Sequence, residues 1–154
     1  MTFIIGSSES FSYPVTLPRL NDDGTITRHQ IKVRYKRLPV DVVQEYFARD
    51  FDPVLYADMV ERAEGDKELA SILTYAEGMK SGKLNKPVDE LTADLLEIMS
   101  GWQDVSDESG PIEFSRDNLA KLVNFSGPSY VAIREAYREA VNGDGKGKTA
   151  KVKN

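Results

Sequence analysis

The sequence predicts an α+β fold, with an N-terminal antiparallel β-hairpin or small sheet, then a mainly α-helical bundle, then a disordered C-terminal tail. Three observations carry that prediction. Apolar residues alternate with period two from Thr25 to Lys36. From Pro39 onward the apolar spacing changes to three and four, the period of a helix. The last ten residues contain four lysines and no acid, and show no apolar period.

Along the hairpin, Thr27, His29, Ile31, Val33 and Tyr35 fall on one face, and Arg28, Gln30, Lys32, Arg34 and Lys36 on the other. Tyr13–Leu17 is a shorter strand candidate. Asn21-Asp22-Asp23-Gly24 between the two is a turn signal, because these residues tolerate left-handed backbone. Pro14 and Pro18 lack an amide donor and mark the first strand as an edge.

Val40, Val43, Phe47 and Phe51, with Tyr46 beside them, form the stripe of a first helix that Pro53 ends. A short segment over 54–64 continues after it. Leu69, Ile72, Leu73 and Ala76 give the next helical face, over 66–80. Leu91, Leu95, Ile98, Trp102 and Val105 are spaced four, three, four, three, which predicts one helix from Pro87 to the acidic loop at 104–108. Ser115 is placed to cap a helix bearing Leu119, Leu122 and Val123, with Phe114 as a hydrophobic staple on Leu119. Gly127-Pro128 opens a final helix with Ile133, Tyr137 and Val141 inward, and Gly143 stops it. The expected organisation is a single domain over 1–143, a hairpin part at 1–38 and a helical part at 39–143, then a flexible basic tail at 144–154.

The chain has 154 residues, enough to bury a core, and no cysteine, so disulfides and thiolate metal sites are excluded. It has no apolar run of about 18 residues to span a membrane, and MTFIIGSSES lacks the features of a secretory leader. The net charge of −5 is unevenly spread: residues 51–110 carry 14 acids against 5 bases. So acidic a middle disfavours general nucleic-acid binding, which depends on phosphate contacts.

Catalytic patterns fail on spacing. Gly143–Thr149 imitates a phosphate loop, but Asn142 stands where glycine is required, and a helix rather than a strand precedes it. His29 is the single histidine and has no nucleophile pattern near it. Asp104, Asp107 and Glu108 are acidic enough for calcium, but Ser109 occupies the position that needs glycine. No enzyme activity, cofactor or metal is expected. The row Arg28, Lys32, Arg34 and Lys36, with Arg37 after it, reads as a solvated strand face, a partner contact or a nucleic-acid contact. Lys146, Lys148, Lys151 and Lys153 of the tail are the other candidate contact residues. Trp102 is either a structural corner with Phe114, Ser115 and Leu119, or an anchor for a partner.

Several of these stretches are similar to one known family. Trp102-Gln103-Asp104-Val105, Asp107–Ile112, Phe114–Leu119, Ile133–Tyr137 and Lys153-Asn154, together with the strand Ile31–Leu38, resemble the tail assembly chaperones of long-tailed, siphophage-type bacteriophages. The likeness covers most of the chain apart from 52–86. It implies a non-enzymatic protein of the host cell cytoplasm. Such a protein binds the tape-measure protein, keeps its long apolar helices soluble, recruits tail-tube subunits and leaves before the virion is finished. It also implies a longer, frameshifted form, with Gly145-Lys146 or Gly147-Lys148 as places for a slippery codon run. Self-association is a further option, through the basic strand and the acidic 51–110 region. The rival readings are a small nucleic-acid-binding or regulatory phage protein, and a structural tail or connector subunit.

Overall fold

The computed structural model describes residues 9–49, 53–66 and 86–143, together with positions 2, 5, 69, 70 and 73. The elements in chain order are β1 (Ser10–Leu20), β2 (Ile26–Lys36), α1 (Val40–Ala48), α2 (Pro53–Arg62), α3 (Val88–Leu96), β3 (Met99–Gln103), β4 (Ser106–Asp107), β5 (Gly110–Pro111), α4 (Arg116–Phe125) and α5 (Gly127–Asn142). The class is mixed α+β with an N-terminal antiparallel sheet, as the sequence predicts. By internal contacts the chain divides into two compact units, Met1–Arg37 with Val88–Asn154, and Leu38–Pro87.

In the first unit β1 and β2 pair antiparallel over their whole length, from Ser10↔Lys36 to Leu20↔Ile26. The turn between them is held by side chains. Asp23 accepts hydrogen bonds from both the amide and the hydroxyl of Thr25, which lower its pKa, and Asn21 Nδ2 donates to Thr25 and Thr27. Gly24 supplies the left-handed backbone that the turn requires, with φ of 87°. The sheet order is β1-β2-β3, so β1 with its two prolines is an edge. Alternation is clean where the hairpin meets the rest of the unit: Ile31, Val33 and Tyr35 are buried and Lys32 and Arg34 exposed. From Ile26 to Gln30 every residue is exposed, His29 included, because the hairpin runs on past the third strand.

That third strand overturns one expectation. The four-three-four-three spacing predicts a helix through Val105, but α3 stops at Leu96 and residues 99–103 pair with β2. The last turn tightens first, with Glu97 and Ile98 amides donating to Asp94 and Leu95 carbonyls. The pairing passes from Arg34↔Gly101 to Tyr35↔Met99, so Ser100 is a bulge. An extra residue puts the two inward side chains, Met99 and Trp102, three positions apart instead of two. A bulged strand thereby reproduces helical spacing.

The core lies between the sheet's inner face and the helices. Phe11, Tyr35 and Tyr137 form an aromatic cluster, with Tyr35 and Tyr137 centroids 5.0 Å apart. The buried Tyr35 hydroxyl donates to the Ile133 carbonyl at 2.7 Å, and the Tyr137 hydroxyl to the Lys36 carbonyl at 3.2 Å, so α5 is bonded to the sheet at both ends of the cluster. Ile133 and Tyr137 are buried as expected, and Gly143 closes α5 in a left-handed conformation. Arg134 of α5 and Asp94 of α3 form an ion pair at 3.3 Å, joined by the Tyr130 hydroxyl.

In the second unit Tyr46, not the Val40 stripe, is the buried residue of α1, and Val40 is exposed. Pro53 opens α2 rather than ending α1, a position where a missing amide costs nothing. Met59, Ala63 and Ala70 form a small core with Tyr56, Val60 and Leu73. Ala70 takes the inward place expected for Leu69. Phe51, Ile72, Ala76 and the tail at 144–154 lie outside the described residues.

Candidate functional site

The stretch from Trp102 to Phe125 builds the most distinctive surface of the first unit. Trp102 of β3 is buried, 9% exposed, and its indole Nε1–H donates to the Ile112 carbonyl at 3.1 Å. Its ring meets Phe114 edge-on, with centroids 5.2 Å apart and planes at 84°. Phe114, expected to staple onto Leu119, thus has Trp102 as its ring partner. Asp104 then turns the chain in a left-handed conformation that aspartate tolerates, and β4 and β5 form a minimal hairpin.

This corner is held by hydrogen bonds on every side. The Ile112 amide donates to the Val105 carbonyl and the Ser109 amide to the Asp107 carboxylate. Ser115 caps α4 by accepting from the Asn118 amide at 3.1 Å, and Asn118 Nδ2 reaches back to the Glu113 carbonyl. Leu119 and Val123 of α4 are buried, whereas Leu122 is half-buried on another side of the helix. Beside it Phe125, 71% exposed, has the Arg19 guanidinium 5.8 Å from its ring centre.

Between these parts runs an apolar groove of about 650 Å³, floored by Val105, Ile112, Leu122 and Phe125. Its β4–β5 side carries Asp107 and Glu108, and its α4–β1 side carries Lys121 and Arg19. Among the described residues no three metal-ligating side chains gather, and no helix is long and apolar enough to cross a membrane.

The other candidate residues are distributed differently. Arg28, Lys32 and Arg34 share the outer face of β2 and are exposed. Lys36 ends the row half-buried, its ammonium donating to the Leu96 carbonyl at the end of α3, where a cation offsets the helix dipole. Arg37 leaves that face and sits over the Phe11 ring, 5.3 Å from its centre. Lys146, Lys148, Lys151 and Lys153 lie outside the described residues. The groove floor itself is missing from the sequence prediction, because Leu122 and Phe125 come from α4 whereas Val105 and Ile112 flank the β4–β5 hairpin. The one available signal was Phe125, a large aromatic set just before the helix-ending Ser126-Gly127-Pro128.

A family model described as phage tail assembly chaperone matches residues 1–148, nearly the whole chain. The chain belongs to that family. No curated protein and no solved structure matches it. Tail assembly chaperones work through protein partners; the groove and the basic outer face of β2 are exposed surfaces of the first unit. Both face away from the core that Trp102, Leu119 and Tyr35 fill.

Proposed function

We propose that this protein binds the tape-measure protein of its phage, keeps that protein's long apolar helices soluble, and helps recruit tail-tube subunits. It acts in the host cytoplasm, without catalysis, and is absent from the finished virion. The observation that carries this reading is the family match over residues 1–148. The apolar groove beside an acidic hairpin supports it, since a holdase needs an exposed apolar seat on a surface that stays soluble.

Co-expression with the tape-measure protein tests the reading. Soluble yield of that protein should rise several-fold, and the two should co-purify; an unchanged yield with no pull-down would end it. Detection of the chain in purified virions would favour a structural tail subunit instead. A DNA shift that weakens steeply with salt would favour a nucleic-acid role for Arg28, Lys32 and Arg34. A frameshifted longer form belongs to the same proposal. It requires a slippery heptamer at the codons for 145–148 and an extended band on an immunoblot.

A further inference from the structure

We infer that the groove between the β4–β5 hairpin and α4 seats one face of an amphipathic client helix, and does so in a single orientation. This rests on the chaperone reading above and adds the surface, the chemistry of the bound segment and its direction.

The groove's size sets the first condition. At about 650 Å³ it accommodates side chains from one face of a helix but not a whole helix, whose diameter is about 10 Å. Its floor of Val105, Ile112, Leu122 and Phe125 matches an apolar stripe at i, i+3, i+4 and i+7. Part of the floor is fixed. Ile112 is held from both sides of its backbone, by the Val105 carbonyl and the Trp102 indole. A seat already in its bound shape loses little entropy when it is filled.

Charge sets the second condition. Asp107 and Glu108 line one side, Lys121 and Arg19 the other. A helix lying in the groove with a basic flank toward the acids and an acidic flank toward the bases is attracted on both sides. Turning the helix end for end exchanges its flanks and sets like charges against each other, which costs affinity. A two-signed rim therefore selects direction as well as partner.

The test uses one synthetic helical peptide of about 18 residues, with a leucine–alanine stripe, a Lys flank and a Glu flank, carrying a nitroxide spin label at its N-terminus or at its C-terminus. In NMR spectra of the full chain each label should broaden residues at one end of the groove only, and the two labels should pick opposite ends. Phe125→Ala should weaken that peptide about tenfold while leaving thermal unfolding unchanged, since the ring is exposed. The double reversal Glu108→Lys with Lys121→Glu, both at exposed positions, leaves one charge of each sign on each side and should abolish the preference for one direction. Broadening of both ends of the groove by either label, or an unaltered pattern in the double variant, would overturn the inference. Conversion of a dimer to monomer by Phe125→Ala, with peptide binding intact, would make a second copy the occupant and overturn it equally. If the parent chain raises tape-measure solubility and Phe125→Ala does so just as well, the groove is wrong and the chaperone reading stands. If the parent chain does not raise it, that reading fails on its own.

Discussion

Arg134 is enclosed to within 1% of full burial, and its Nε lies 3.3 Å from the Asp94 carboxylate. Tyr130 donates to the same carboxylate oxygen at 2.7 Å and lies 5.4 Å beneath the guanidinium. Three side chains thus join α3 to α5 through one oxygen. Removing one partner of a buried pair strands the other charge. Asp94→Ala is expected to cost about 3–5 kcal/mol in urea unfolding, and Tyr130→Phe about 1 kcal/mol. A loss below about 1 kcal/mol for Asp94→Ala would show that the pair does not join the helices.

Burial holds the Tyr35 hydroxyl protonated well above the usual tyrosine range. Its folded pKa exceeds its unfolded one, so its contribution is complete below about pH 10 and declines as pH rises above that value. The parent should lose stability above pH 10 more steeply than Tyr35→Phe. That variant gives up the bond to the Ile133 carbonyl, at about 1 kcal/mol near neutrality. Parallel pH curves for the two proteins would refute the assignment.

Trp102→Ala removes the β3 side chain that meets Phe114 and Ile112, at an expected cost of about 3–5 kcal/mol. Thermal melts with and without client distinguish the two roles open to this residue. A variant that unfolds like the parent yet no longer solubilises client would make Trp102 a binding anchor.

Ser115→Ala should cost about 1 kcal/mol by freeing the Asn118 amide, and Ser115→Asp should recover most of it. Chemical denaturation of the three proteins suffices, and equal midpoints would remove the cap from the account.

The residues explain why some of this was legible and some not. The β1–β2 hairpin was readable because its inner residues alternate from Ile31 to Tyr35 and its turn is spelled by side chains that bond locally. Ser115 and Gly143 were readable for the same reason, since caps are local chemistry. Strand β3 was not, because Ile98, Trp102 and Val105 fall at helical spacing although Trp102 alone of the three lies in the strand, and only pairing with β2 decides between the two. The groove was hidden for a deeper reason. Val105, Ile112, Leu122 and Phe125 obey no common period, and a floor assembled from α4 and the two flanks of the β4–β5 hairpin has no signature in any one of them.

The order of the strands has a consequence during synthesis. The β1–β2 hairpin can close as soon as it emerges, within microseconds. Its partner strand is encoded far later: Val33 and Trp102 pair across about 70 positions, with the whole second unit made in between. Throughout that interval the free side of β2 is an open edge at Lys32–Tyr35, the type of edge on which nascent chains stick to one another. Lys32 and Arg34 stand on that edge, so their charge protects a half-made sheet until β3 arrives. A chaperone thus meets the aggregation hazard first in its own synthesis.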